Sequence, residues 1–355
     1  MKKLLLFLLV SFSFSITPDI SEVIKIPIIN TSNVQISSSR QVEHTINEFV
    51  SVDEVVFINA EQVVTLNEVI REPETPKENI MSHFDEDSNV RILPLAKVNT
   101  NIKTDIAIMI DCNSGDVLFE KNADKYWSAA SLTKVFLLYL IMDKVEKGEI
   151  DLDEYIDIED EAWLGNMPAD ATTMHLEQGQ RVTYRQLIQG LSIVSANDAA
   201  YLFVNKLFGG KDNYAKTINL FLANHGYNQL HVEEPSGISN FNRITARQFA
   251  SFCNLYIDKN SKWLETLHSV PSFTYPLKEN LVEGRKYKYK AVTRNNTNTL
   301  LGKYEGVDGL KTGYLSVSGF NIVATAKRNG KRLLVVLLGG ANGKPNLIED
   351  AKKVV

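Results

Sequence analysis

The sequence predicts an α/β chain of the α+β kind: one antiparallel sheet flanked by helices, with an all-helical lobe inserted between its strands. Two observations carry this. Strand pairs with tight turns stand near residue 106 and again near the C-terminus, and helix signals fill the stretch between them. A cleft between a sheet-bearing lobe and a helical lobe is a natural place for a site.

The elements follow in order. Ile106-Ala107-Ile108-Met109-Ile110 is a strand of the buried type, Asn113-Ser114-Gly115 a turn, and Val117-Leu118-Phe119 the returning strand. After Ser131-Leu132-Thr133-Lys134 come eight apolar or aromatic residues in a row, Val135 to Met142. A helix apolar nearly all round belongs in a core, and this one stops near Gly148. Thr183 to Gln186 has the form of a capping box and opens a helix through about Ile193. Ser195-Ala196-Asn197 interrupts it. A second helix runs from about Asp198 to Phe208 and stops at Gly209-Gly210; a third, Asn213 to Asn224, stops at Gly226. Strands return at Phe320 to Ala326 and Leu333 to Leu338, joined by the turn Arg328-Asn329-Gly330. Leu347 to Val355 is expected as a closing helix.

At 355 residues the chain has room for one large domain or two. Its 44% hydrophobic and 23% charged content is ordinary for a soluble globular protein. The net charge of −5, read as lacking a basic block, argues for no nucleic acid partner. Met1-Lys2-Lys3 and the apolar run Leu4 to Ile16 read as a secretory signal peptide over residues 1–16. The run is short for a membrane span, and an uncleaved anchor is the competing reading. Export is therefore expected. Residues 17–101 differ in composition from all that follows: no glycine precedes Gly115, and no tyrosine or tryptophan precedes Tyr126 and Trp127. They are expected to form an extended or partly disordered tether, with a small β module as the alternative. The catalytic domain is then 102–355. The two cysteines, Cys112 and Cys253, fit no metal-ligand pattern, and their pairing stays open. The six histidines show no ligand spacing, so no metal is expected.

Ser131 and Lys134 carry the first chemical signal. Residues three apart share a helix face, so the lysine amine can reach the serine hydroxyl. A helix start adds unpaired N–H groups and partial positive charge, which suit a developing anion. That is how a nucleophile with an attached base is built. Alone, the pattern is common, and a serine there can be no more than a cap. Two further motifs follow: Ser195-Ala196-Asn197 between helices, and Lys311-Thr312-Gly313 at a strand edge beside a glycine-rich turn. Each has a bland reading as a loop, cap or turn. Their joint occurrence in this order is far harder to attribute to chance.

On these residues the chain resembles the D-alanyl-D-alanine carboxypeptidases, the low-molecular-mass penicillin-binding proteins. Ala129-Ala130-Ser131-Leu132-Thr133-Lys134, Ser195-Ala196-Asn197-Asp198-Ala199-Ala200 and Gly306 to Tyr314 carry the resemblance, with Glu234-Pro235-Ser236-Gly237-Ile238 and Thr245-Ala246-Arg247 in support. It runs from about Ile106 to Val355 and leaves out the first hundred residues. It implies a β-lactamase/transpeptidase-like fold and, as substrate, peptidoglycan stem peptides ending in D-Ala-D-Ala. It implies that Ser131 attacks the penultimate carbonyl and that Lys134 is the base, held neutral by burial and by Lys311. Ser195 relays a proton to the leaving nitrogen, and Asn197 holds the substrate amide and helps fix Lys134. Lys311 and Thr312 bind the terminal carboxylate. The N–H groups of Ser131 and Tyr314 form the oxyanion hole, Gly313 allowing close approach. β-Lactam antibiotics are then inhibitors acylating Ser131, no cofactor is needed, and the place of action is the periplasmic or extracytoplasmic cell-wall space. A membrane tether is expected only if the N-terminal segment stays uncleaved.

The sequence also departs from the family pattern. Leu315 stands where a threonine is common, and Thr297, in Asn296-Thr297-Asn298, where some members carry arginine. Many members also carry a C-terminal β domain and an amphipathic helix; the sequence to Val355 shows neither, so any tether is expected at the N-terminus. Three rivals stay open: a D,D-endopeptidase using the same residues, a class A β-lactamase, and a non-catalytic wall-binding protein. The β-lactamase requires a deacylating glutamate on a loop, where only Glu233 and Glu234 stand and no Glu-x-x-Leu-Asn pattern occurs.

Overall fold

The computed structural model describes residues 3–4, 58–59, 102–159, 167–168, 170–340 and 351. The chain divides into two compact units, Met1–Asn79 and Ile80–Val355. In the first, Lys3–Leu4 pairs antiparallel with Ile58–Asn59. The signal peptide expected at 1–16 and the tether at 17–101 otherwise lie outside the described residues.

The second unit is built on a five-stranded antiparallel sheet. Its strands are β1 (Ile106–Asp111), β2 (Val117–Lys121), β9 (Val307–Leu315), β10 (Gly319–Arg328) and β11 (Lys331–Gly340), in the order β9-β10-β11-β1-β2. The two ends of the unit therefore meet in one sheet, as expected, with β11 paired to β1 from Leu333↔Asp111 to Leu338↔Ile106. The side-chain period of two explains the continuous apolar runs. Ile106, Ile108, Ile110, Leu334, Val336 and Leu338 enter the larger core, while Ala107, Met109, Val335 and Leu337 enter a second one with Ile322, Ala324 and Ala351. A sheet covered on both faces needs no polar alternation. Ala351 is helical and buried; the rest of the closing helix expected at 347–355 lies outside the described residues.

Between β2 and β9 lie the short pair β3 (Trp127–Ser128) and β6 (Arg243–Ile244), the pair β4 (Tyr155–Asp157) and β5 (Arg181–Thr183), and the pair β7 (Ser272–Tyr275) and β8 (Val292–Asn295). The helices are α1 (Lys134–Glu146), α2 (Tyr184–Ile193), α3 (Asn197–Phe208), α4 (Lys211–Asn224) and α5 (Ala246–Asn260). α1 is the central helix. Phe136, Leu137 and Leu138 are wholly buried, and the Phe136 ring meets Phe249 and Phe252 of α5 at 5.5 and 4.7 Å. Each such side chain contributes roughly 1.5–3 kcal/mol on leaving water, so the start of α1 is firmly held.

The caps explain the helix ends. Thr183 and Gln186 form the expected capping box of α2. Gly209, in the left-handed region at φ 70°, stops α3. α4 begins at Lys211, two residues before the expected Asn213, because Gly210 at φ 122° turns the chain and lets Lys211 start the helix. Ser131 lies in a 3-10 turn, Ala130–Thr133, rather than in α1 itself. No helix among the described residues is long and apolar enough to cross a membrane.

Candidate active site

The nucleophile turn hangs from the β3–β6 pair. Ala129 N–H donates to Asn242 O at 2.9 Å, and the following 3-10 turn sets Ser131 one turn before Lys134. Two glycines let other segments close on that turn. A Cβ on Gly313 would lie 2.9 Å from Ser131 N, and one on Gly237, whose φ is 86°, would lie 2.0 Å from Ala130 O. No side chain fits at either point, so β9 and the loop at 237 approach the backbone around Ser131 directly.

Lys134 is fully buried, and its Nζ lies 3.0 Å from Ser131 Oγ. It also donates to Asn197 Oδ1 at 2.6 Å and to the carbonyl of Ser236. Burial lowers its pKa to about 7, while the carboxylates of Glu234 and Asp198 pull it upward. This corrects the expected role of Lys311: desolvation, not a neighbouring cation, brings the amine near neutrality.

The second motif is pinned from behind. Asn197 N–H donates to Thr172 O at 2.8 Å. The carboxylate of Asp198, fully buried, accepts from the N–H groups of Met174, Leu176 and Ala199 at 2.9–3.0 Å. Ser195 adopts φ 63°, and its buried Oγ has no hydrogen-bond partner among the described residues. A buried hydroxyl in that state is suited to a proton acceptor or donor that arrives with a substrate.

The third motif lies on β9, an edge strand. A cavity of about 530 Å³ is lined by Ser131, Ser195, Asn197, Thr312, Gly313 and Tyr314. Lys134 and Lys311 lie just under that lining, Lys134 bonded to Ser131 and Asn197, and Lys311, 1% exposed, donating to Thr312 O at 2.9 Å. All eight predicted site residues therefore converge. Leu315 and Thr297, the two departures from the family pattern, line the same cavity. So do Asp170 and Thr172, which sequence reasoning did not single out.

Glu234 is the functional residue whose part the sequence concealed. Its carboxylate accepts from Ser236 N at 2.8 Å, Ser236 Oγ at 2.5 Å, Gly237 N at 2.7 Å, Asn242 Nδ2 at 2.6 Å and Tyr201 Oη at 3.1 Å. Burial opposes its charge, but the hydrogen bonds from Ser236 and the Lys134 cation outweigh that and hold it below the usual carboxylate range. These bonds fix the loop whose Ser236 carbonyl receives Lys134 and whose Gly237 meets the nucleophile turn. The Glu-Pro-Ser-Gly run was the available signal, because a carboxylate just before a tight turn can accept from that turn's N–H groups. A carboxylate so fully engaged is poorly placed to activate water.

His268 is fully buried between Tyr256 Oη at 2.7 Å and Leu310 O at 3.4 Å, and burial, with Lys311 nearby, pushes its pKa down to about 4. Cys112 and Cys253 are both free thiols.

A family model described as D-alanyl-D-alanine carboxypeptidase (Peptidase_S11) matches residues 94–342. The D-alanyl-D-alanine carboxypeptidase DacF of Bacillus subtilis is 27% identical over 238 residues, covering 67% of this chain and 58% of that protein. The chain spans 58–60% of the length of the first curated relatives it matches. Among solved structures, penicillin binding protein 6B from Escherichia coli is similar at a TM-score of 0.64 and 25% identity, over 72% of this chain and 77% of that one. Penicillin-binding protein D2 from Listeria monocytogenes, in its cefotaxime-bound form, is similar at 0.61 and 26%, over 72% of this chain and 97% of that one.

Proposed function

The chain belongs to the D-alanyl-D-alanine carboxypeptidase family, and from that premise we propose that it is a serine-type D-Ala-D-Ala carboxypeptidase acting on peptidoglycan stem peptides. The observation that carries the reading is the buried Lys134 amine, with a pKa near 7, standing 3.0 Å from Ser131 Oγ. In this reading Lys134 takes the hydroxyl proton as Ser131 attacks the penultimate carbonyl. The oxyanion is received by the N–H groups of Ser131 and Tyr314, each such donor worth roughly 3 kcal/mol of barrier. The Ser195 hydroxyl hands a proton to the departing D-alanine nitrogen, and Asn197 holds the substrate amide and Lys134 together. Lys311, through its charge, and Thr312, through its hydroxyl, receive the terminal carboxylate. Water then cleaves the acyl-enzyme, with Lys134 again as base.

Residues 102–355 form the catalytic domain in this reading, and 1–16 act as the export signal. Action is extracytoplasmic, where peptidoglycan lies. β-Lactams acylate Ser131, and with Glu234 engaged in hydrogen bonds the adduct is long-lived.

A fluorescent penicillin tests the assignment. The wild type is expected to label and Ser131→Ala to remain dark; labelling that survives the substitution overturns it. Mass spectrometry of digested muropeptides separates the chemistries. Loss of one alanine supports the carboxypeptidase, whereas cross-linked dimers turning to monomers identifies an endopeptidase.

A further inference from the structure

Between Lys278 and Arg294 the chain carries the cations Lys278, Arg285, Lys286, Lys288, Lys290 and Arg294 against the carboxylates of Glu279 and Glu283, although the whole protein has a net charge of −5. Arg285-Lys286-Tyr287-Lys288-Tyr289-Lys290 is a basic block, which corrects the sequence expectation that none exists. The structure shows how its alternation of cation and tyrosine is held. Tyr287 Oη donates to Gly179 O at 2.8 Å and accepts from Val282 N at 3.0 Å. The Glu177 carboxylate accepts from the N–H groups of Lys288 and Tyr289 at 2.9 and 2.8 Å. The Tyr289 ring stacks on His175 with centroids 4.1 Å apart. The tyrosines are half-buried, while Lys286, Lys288 and Lys290 are exposed. No carboxylate among the described residues forms a salt bridge with Lys286 or Lys290.

Apolar side chains flank these lysines. Leu281, Val282 and Val292 are 37%, 51% and 41% exposed. The backbone of Val282 is tied to Tyr287, which holds the Leu281-Val282 segment beside the basic run. We propose that this patch docks the protein on a bilayer containing anionic phospholipid, the lysines meeting lipid phosphates and Leu281 and Val282 entering the headgroup boundary. The aliphatic groups decide the occupant. A hydrated phosphate polymer offers them nothing, whereas a bilayer buries them and adds attraction for each cation near its surface. β8 runs from the patch into Asn296 and Thr297, and Thr297 lines the cavity, so docking sets the cleft at a fixed place relative to the membrane. The inference does not rest on the peptidase assignment.

Hydrogen exchange on the full chain tests it, because the readout is local and independent of the apolar run at Leu4 to Ile16. Vesicles of mixed phosphatidylglycerol and phosphatidylcholine are expected to protect peptides spanning 278–294, and vesicles of phosphatidylcholine alone are not. The protection should fade as salt rises. Lys286→Glu/Lys288→Glu/Lys290→Glu should weaken this protection, read as vesicle affinity, by at least about tenfold. Leu281→Ser/Val282→Ser should weaken it several-fold, with thermal melting of both variants unchanged. Absence of protection at 278–294 overturns the proposal. Equal protection by soluble polyphosphate, with the Leu281→Ser/Val282→Ser variant binding vesicles like the wild type, overturns it in favour of a polyanion site.

Discussion

The proton on Lys134 decides whether Ser131 can act. An ordinary lysine amine stays charged at neutral pH and cannot accept the serine proton, but burial brings this one to about 7. Falling pH protonates it and should stop acylation. The second-order rate of penicillin labelling is therefore expected to fall about tenfold per pH unit below about 7 and to level off above it. Lys134→Arg keeps a side chain charged at every accessible pH and should abolish labelling throughout. Glu234 tunes the same group, since its charge raises the Lys134 pKa. Glu234→Gln removes that charge and leaves some of the N–H groups of Ser236 and Gly237 poorly paired. The pH inflection should move down while stability falls by about 1–3 kcal/mol, measured by denaturant melting. An inflection that moves up would show that loop distortion, rather than charge, dominates at Lys134.

Helix α5 shows what caps contribute at the scale of an element. Thr245 accepts from Gln248 N–H, and α5 then sets Phe249 and Phe252 against Phe136 of α1, the helix that holds Lys134. Thr245→Ala is expected to cost about 1 kcal/mol, seen as a melting shift of about 2–4 °C. Labelling should be retained, because the aromatic contacts remain. The same element shows where the sequence was legible. Thr245-x-x-Gln248 has the spacing of the box that announced α2, yet α5 was not anticipated, because its apolar residues are interrupted by Ser251, Asn254 and Asp258. Four of the five strands were legible as apolar runs, whereas β9 was legible only as a strand edge at Lys311-Thr312-Gly313, because Asp308, Lys311 and Thr312 interrupt its apolar residues. The pairs β4–β5 and β7–β8 were not: they are short, and long-range pairing rather than local pattern makes them strands. In the site, the three motifs were legible because each is a contiguous run. The burial that lowers the Lys134 pKa was anticipated, but the opposing pull of Glu234 was not, because that residue lies a hundred residues away in the chain and comes into contact through Ser236.

Across the whole molecule the cavity is a meeting of distant segments. Ser131 comes from the turn before α1, Ser195 and Asn197 from the α2–α3 junction, Gly237 from the loop before β6, and Lys311 to Tyr314 from β9. β11 lies in the middle of the sheet, so it joins the β1–β2 hairpin to β9 and β10, and the site exists only once both ends of the unit have met. Every one of these segments lies within Ile80–Val355. That compact unit contains both cores and all the predicted site residues, and a domain with its own core folds alone. A protein consisting of residues 80–355 is therefore expected to label with fluorescent penicillin at a rate within about twofold of the full chain, since it holds all the predicted site residues. Its single cooperative melt should coincide with the transition that Thr245→Ala lowers by about 2–4 °C in the full chain. Stopped-flow labelling of the two proteins, side by side with their thermal melts, measures both quantities. A shorter protein that melts normally but labels far more slowly would place part of the site in the first unit; one that fails to fold would make the two units a single cooperative domain.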